Sequence, residues 1–156
     1  MKSKVYIETS IPSYLTAWRN PNLIMAANQE LTKEWWENNH KFDLYLSAVV
    51  IQECSYGDTD AAKRRLEVLS GIPEIEITEE VEIFAEILLN KVPLPYKAKI
   101  DALHIAVATV GGMDYLLTWN CKHIANATLR SRIEAVCRES GYEPPIICTP
   151  QELLEV

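Results

Sequence analysis

The sequence lacks the patterns that mark several large classes of protein. It has no GxGxxG motif, no P-loop and no GxSxG motif, which argues against a cofactor enzyme or a small-molecule hydrolase. No apolar run approaches the roughly 20 residues that span a bilayer. The first residues, MKSKVYIETS, lack the apolar stretch of a signal peptide. We therefore expect a cytoplasmic protein with no membrane partner.

The cysteines lack the spacing of a metal site. Cys54, Cys121, Cys137 and Cys148 form no CxxC pair, and none has a histidine at zinc-finger spacing. In a reducing cytosol such cysteines are free thiols in or near the core. We expect neither a structural zinc site nor a disulfide framework.

Length and composition indicate one globular domain spanning residues 1–156. Hydrophobic residues make up 48% and charged residues 24% of the chain, which is the ordinary globular range. No repeat, low-complexity tract or linker interrupts the sequence. A chain of this length buries one sizeable core without disulfides or metals.

The chain has no excess of basic residues, and its formal net charge is −7. This argues mildly against a nucleic-acid partner, because phosphate binding draws on lysine and arginine. Local patches nevertheless matter more than the total charge. Three basic groups could form such patches or could equally be solvated helix faces: Lys63-Arg64-Arg65, Lys97 with Lys99, and Arg130 with Arg132 and Arg138.

What the sequence does contain is a regular alternation of strand-like and helix-like segments. The predicted strands lie at residues 4–7, 44–46, 75–77, 115–118 and 146–148. The first and fourth are nearly continuous apolar runs, as is typical of central strands in a parallel sheet. The alternation predicts an α/β fold, a three-layer α/β/α sandwich with a central, mostly parallel five-stranded sheet.

Capping residues and glycines predict the helix boundaries. Ser47 is a suitable N-cap, and Gly57 a suitable stop, for a helix at residues 48–56. Another predicted helix begins near Pro12, and a last short one begins at Thr149-Pro150. The remaining helices are predicted at residues 21–40, 59–70, 79–92, 98–110 and 125–140.

Ligands of parallel α/β sheets collect at the carboxyl ends of the strands, so the residues that follow each strand are candidates. Glu8 ends the first strand, although it could also be an exposed strand-end carboxylate. Asn120 follows the fourth strand, where asparagine is also common as a turn residue. Thr9, Ser10 and Thr118 add hydroxyl groups at the same edge.

Two carboxylates on helices complete the candidate site. Glu53 projects from an otherwise inward-facing side of its apolar helix, although it could be merely exposed. Asp101 begins a very apolar helix, where the helix dipole alone would favour a carboxylate. His104 shares the face of Asp101 and is either a supporting partner of the site or a satisfied core histidine.

A buried strand-end carboxylate such as Glu8 needs a cation, a hydrogen-bond network or water, and an uncompensated cluster of carboxylates favours the cation. Two carboxylates at ~4 Å repel by on the order of 4 kcal/mol at an effective dielectric of about 20. A hard divalent ion removes that repulsion and takes oxygen ligands. We therefore predict a Mg²⁺ or Mn²⁺ site formed by Glu8, Glu53, Asp101 and Asn120.

The sequence resembles the PIN-domain family, and in particular the VapC-type toxins of toxin–antitoxin pairs. Four blocks carry the resemblance, which covers essentially the whole chain: residues 6–13 (YIETSIPS), 50–54 (VIQEC), 101–106 (DALHIA) and 117–124 (LTWNCKHI). The resemblance implies a PIN-like fold in which four acidic residues hold one or two divalent ions. Such ions activate water to cut RNA.

Two of the four acidic positions depart from the family pattern. Glu53 and Asp101 match it, whereas Glu8 and Asn120 stand where the family usually has aspartate. The amide of Asn120 removes one negative charge and should weaken a second metal in particular.

The resemblance implies an RNA-cleaving enzyme, a small antitoxin protein as inhibitor and a homodimer. The alternative is a catalytically weak or inactive PIN-like module that binds RNA or protein, which Asn120 and the net charge favour.

Overall fold

Four parallel strands form the centre of the molecule. The computed structural model describes residues 1–154, and its strands are β1 (Ser3–Ile7), β2 (Phe42–Tyr45), β3 (Tyr115–Leu117) and β4 (Ile146–Cys148). Their order in the sheet is β2-β1-β3-β4, with every neighbouring pair parallel. The order reverses between β1 and β3, because β2 lies on one side of β1 and β3 on the other. A crevice at such a switch point is where ligands of parallel sheets bind.

Helices flank this sheet, which confirms the predicted α/β class. They are α1 (Ser10–Thr16), α2 (Leu23–Glu37), α3 (Ala48–Cys54), α4 (Thr59–Leu69), α5 (Glu79–Lys91), α6 (Lys99–Val110) and α7 (Ala127–Glu139), with 3₁₀ turns at Asn39–Lys41 and Tyr96–Ala98. Apart from the last short one, the predicted helices are present, with ends that differ by a few residues from the prediction.

Side-chain caps account for several helix starts. Asn22, Asp58, Thr78 and Asn126 each accept a hydrogen bond from a backbone N–H of the first turn that follows. Ser47 stands at the N-cap position of α3 but makes no side-chain cap bond. Its hydroxyl is instead 2.8 Å from the phenolic oxygen of Tyr6.

The predicted strand at residues 75–77 is wrong, so the described sheet has four strands and not five. Only one bridge forms there, between Leu46 and Glu74, in parallel orientation. Ile75 N–H donates to the Leu46 carbonyl at 2.7 Å, and the pairing then stops. Continued parallel pairing would need residues 47–49 extended, but α3 begins at Ala48.

The last short helix, predicted from Thr149-Pro150, is also absent from the described residues. The chain forms a turn there, in which Glu152 and Leu153 N–H groups both donate to the Thr149 carbonyl. Pro150 has no N–H to donate to such a turn.

The core confirms that β1 and β3 are the central strands. Val5, Tyr6, Ile7, Leu116 and Leu117 have no exposed surface. Within residues 1–154 no helix is long and apolar enough to cross a membrane.

The cysteines are free thiols, as expected. Cys54, Cys137 and Cys148 are buried, and Cys121 is exposed. Burial raises the pKa of the Cys54 thiol to about 11 and that of Cys148 to about 12. The three buried thiols therefore act as small apolar side chains.

Candidate metal centre

Glu8 lies at the switch point, directly after β1. Its backbone N–H donates to the Leu117 carbonyl at 3.2 Å, which continues the pairing of β1 with β3. The residue is 5% exposed. Its Oε1 accepts hydrogen bonds from Ser10 N at 3.2 Å, Ser10 Oγ at 2.5 Å and Thr118 Oγ1 at 2.6 Å. A buried carboxylate is thus stabilised by three donors from the two central strand ends.

Glu53 extends from α3 towards the same crevice. Its Oε1 accepts hydrogen bonds from Thr9 Oγ1 at 2.5 Å and from His104 Nε2 at 2.6 Å. Burial acts to raise the pKa of Glu53, but the hydrogen bonds from His104 and Thr9 outweigh it and hold that pKa below its usual range. Glu53 is therefore a carboxylate at neutral pH.

The geometry of Glu8 and Glu53 fits a divalent cation. Ligand atoms of Glu8, Glu53 and His104 all lie within 4.8 Å of one another. Within residues 1–154, every hydrogen bond to the side-chain carboxylate of Glu8 or Glu53 ends on Oε1, so both Oε2 atoms are left for a further partner. Two carboxylates this close favour a hard cation with oxygen ligands.

His104 does not act as a ligand in this arrangement. Its Nε2 must carry the hydrogen that it donates to the Glu53 carboxylate, because an ionised carboxylate can only accept. The lone pair of that nitrogen is then not available to a metal. The side chain is completely buried, so both readings of His104 hold: it is a satisfied core histidine and a partner, though of Glu53 and not of Asp101.

Asp101 and Asn120 form a second pair. Asn120 Nδ2 donates to Asp101 Oδ1 at 3.0 Å, and Asp101 Oδ2 is 2.8 Å from His123 Nδ1. Asn120 Oδ1 accepts from the His123 backbone N–H at 3.1 Å. Asn120 is therefore both a turn residue and the partner of Asp101. Each Asp101 oxygen retains a second lone pair for a ligand.

Thr118 joins the two pairs. Its hydroxyl donates to Glu8 and accepts from the Asn120 N–H at 2.9 Å. The next residue, Trp119, donates its N–H to Ser10 Oγ at 2.7 Å. Glu8, Glu53 and His104 have ligand atoms within 4.8 Å of one another, and within residues 1–154 Asp101 does not belong to this group. The crevice thus holds two adjoining pairs that share one threonine.

Sequence reasoning missed three residues of this network. Tyr6 and Ser47 continue the hydrogen bonds of His104, and His123 binds Asp101. A hydroxyl among the apolar residues 5–7 of β1, and a histidine three residues after Asn120, were the available signals.

The comparisons agree with this architecture. The family profile of the PIN domain matches residues 5–124, and the chain belongs to the PIN-domain family. The resemblance read from the sequence is thereby confirmed at the level of the family. Among curated proteins no sequence matches the chain.

One solved structure similar to this chain is the Mycobacterium tuberculosis toxin VapC20, described as cleaving the sarcin–ricin loop. The two share 17% sequence identity with a TM-score of 0.59, and the match covers 88% of this chain and 95% of the toxin. At that identity the likeness shows a shared fold.

Proposed function

We propose that the chain is a metal-dependent endoribonuclease of the VapC toxin type. The observation that carries the proposal is the pair Glu8 and Glu53, whose ligand atoms lie within 4.8 Å at the sheet's switch point. Membership of the PIN-domain family and a fold shared with an RNA-cleaving toxin support it.

Mg²⁺ or Mn²⁺ would activate water and stabilise the charge that develops on the scissile phosphate. Glu8 and Glu53 would hold the ion through their Oε2 atoms, and Asp101 would add a carboxylate from α6. Ser10 and Thr118 fix the Oε1 atom of Glu8, and Thr9 fixes that of Glu53. Asn120 holds Asp101 in place.

The RNA backbone requires cations near this crevice. Arg64 lies over the Trp18 ring at 4.7 Å and Arg65 donates to backbone carbonyls, so both serve contacts within the chain. Arg138 pairs with Glu134 and Glu143. Lys97 and Lys99 are exposed and precede Asp101 by four and two residues, which makes them the basic group best placed to contact phosphates.

A protein partner fits the surface around α1 and α2. Trp18, Leu23 and Ile24 are 80%, 79% and 73% exposed, which is unusual for large apolar side chains. We propose a small antitoxin as the inhibitor and a homodimer as the toxin's own assembly. Size-exclusion chromatography of the chain, alone and co-expressed with the product of an adjacent small reading frame, tests both.

The second candidate is a PIN-like module that binds RNA or protein without cutting. Both Asp101 oxygens and the amide oxygen of Asn120 already accept or contact hydrogen-bonding partners. This half of the site is satisfied without a metal, and Asn120 supplies no charge.

Two measurements on the purified protein separate the candidates. Calorimetric titration with Mn²⁺ and Mg²⁺ should show saturable binding, and RNA cleavage should stop in a chelator and return on adding the metal. Metal binding without any RNA cleavage would favour the binding module. Cleavage that persists in excess chelator would refute the metal-dependent mechanism.

A further inference from the structure

A continuous chain of hydrogen bonds runs through the core to Glu53. Ser47 Oγ lies 2.8 Å from Tyr6 OH, Tyr6 OH lies 2.8 Å from His104 Nδ1, and His104 Nε2 lies 2.6 Å from Glu53 Oε1. The first three residues have no exposed surface. The relay therefore connects three separate elements, β1, the start of α3 and α6, to one carboxylate of the candidate metal centre.

The direction of these hydrogen bonds follows from the chemistry of each group. Glu53 can only accept, so His104 Nε2 donates to it. If the ring carries a single proton, Nδ1 accepts from the Tyr6 hydroxyl, which in turn accepts from Ser47. Burial raises the pKa of Tyr6, so its hydroxyl keeps the proton that it donates. In this arrangement every polar group of the relay has a hydrogen-bonding partner.

The composition of α6 shows that packing alone does not require this histidine. Its other buried residues are apolar or small: Ala102, Ile105, Ala106, Val107, Ala108 and Thr109. A leucine would fill the same position without bringing two ring nitrogens into the core. The hydrogen-bond donor of His104, and not merely its volume, is what Glu53 uses.

Glu53 requires such a partner because its own helix does not fix its carboxylate. The side chain is 35% exposed, and α3 contributes no hydrogen bond to it within the described residues. A glutamate has three side-chain torsions, which must be ordered before its second oxygen can face an ion. His104 and Thr9 both hold Oε1, and Oε2 accepts no hydrogen bond within the described residues.

We propose that His104, oriented by Tyr6 and Ser47, is a positioning residue that presents Glu53 Oε2 to the divalent cation. The proposal rests on the proposed function only in naming the cation. Supporting partners that orient a metal-ligating group affect metal affinity by about 10- to 100-fold when they are removed.

Four variants test the role of the donor. His104→Leu keeps the volume and removes the donor, His104→Gln keeps a terminal N–H donor, and Tyr6→Phe removes only the hydroxyl that orients the ring. Thr109→Val is the matched control, because its buried hydroxyl binds the Ile105 carbonyl on the same helix, away from Glu53.

Mn²⁺ affinity by calorimetry is the first measurement. We expect His104→Leu to weaken binding about tenfold or more, Tyr6→Phe to weaken it less, His104→Gln to recover most of the loss, and Thr109→Val to leave it unchanged. Equal losses in the leucine and glutamine variants would show that shape matters and not donation, which overturns the proposal. Unchanged affinity in a folded His104→Leu or Tyr6→Phe protein does the same.

Crystal structures of metal-free wild type and variants give a second measurement that needs no metal binding. We expect one conformer for the Glu53 carboxylate in the wild type and in His104→Gln, and a displaced or multiple one in His104→Leu and Tyr6→Phe. An unmoved carboxylate in Tyr6→Phe and His104→Leu overturns the positioning role. A wild-type protein that binds no cation but shows this displacement refutes the proposed function and leaves the orienting relay in place.

Discussion

The two halves of the crevice are built from similar residues but are electrically different. Glu8 and Glu53 bring two carboxylates together, and their partners are hydroxyls and the buried His104. Asp101 instead faces the Asn120 amide and His123, so its charge has two polar partners already. The Glu8–Glu53 half brings two negative charges together, which favours a cation, whereas both carboxylate oxygens of Asp101 already have polar partners. We infer that the first half is the primary metal site.

The largest effect that we expect is on Mn²⁺ affinity, and it distinguishes the two halves of the crevice. Glu53→Gln should weaken Mn²⁺ binding by about 100-fold, because it removes one of the two closest anionic ligands, a loss of about 3 kcal/mol. Calorimetry measures this, with Glu30→Gln on the exposed side of α2 as the control. A smaller loss in Glu53→Gln than in Asp101→Asn would reverse the assignment of the primary site.

Asp101→Asn should abolish RNA cleavage while the fold remains intact. An asparagine still accepts from the Asn120 amide and removes a negative charge from the metal-free crevice. The metal-free Tm should therefore stay level or rise. A large drop in Tm, measured by circular dichroism, would identify Asp101 as a structural helix-start residue instead.

Asn120→Asp makes the second half resemble the first. The summed formal charge of Glu8, Glu53, Asp101 and position 120 changes from −3 to −4. The substitution should therefore tighten Mn²⁺ binding and increase any RNA cleavage. The new carboxylate would face Asp101, since the Asn120 amide now donates to it at 3.0 Å. We therefore also expect a lower metal-free Tm, because two carboxylates at that range repel by on the order of 4 kcal/mol. Equal Mn²⁺ affinities of both proteins would remove Asn120 from the site.

Thr118→Val tests whether the halves are coupled. The change keeps the shape but removes the hydroxyl that donates to Glu8 and accepts from the Asn120 N–H. We expect a loss of about 1–3 kcal/mol in the free energy of unfolding, because buried groups lose a partner. Urea unfolding measures it. If Thr118→Val causes no such loss, the Thr118 hydroxyl does not couple the two halves of the crevice.

The smallest effect that we expect is on the pH dependence of the metal-free Tm, through Glu53. The pKa of Glu53 is lowered because the hydrogen bonds from His104 and Thr9 outweigh burial. A carboxyl with a lowered folded pKa stabilises the fold above its unfolded pKa, about 4.3, and loses that contribution as pH falls through the folded value. Metal-free Tm should fall as the pH drops below about 4.3, and less steeply in Glu53→Gln. If the Tm of the wild type and of Glu53→Gln depends on pH in the same way, the lowered pKa of Glu53 is contradicted.

Strand and helix positions could be predicted where local chemistry sets them. Apolar runs bounded by turn residues marked β1 and β3, and the predicted helix starts at residues 59 and 79 directly follow the caps Asp58 and Thr78. The fifth strand could not be excluded from residues 75–77 alone, because strand formation depends on an extended partner. That partner ends at Leu46, where the chain turns into α3.

The sequence by itself determined the fold class, the family and the set of polar residues at the sheet's edge, because hydrophobic periodicity and motif order are local properties of the chain. Only the tertiary structure decided how those residues pair: Glu8 with Glu53, Asp101 with Asn120 and His123, and Ser47 with Tyr6 instead of its own helix. The physical reason is that these contacts join residues that are mostly tens of positions apart. Their geometry exists only once the strands and helices have packed.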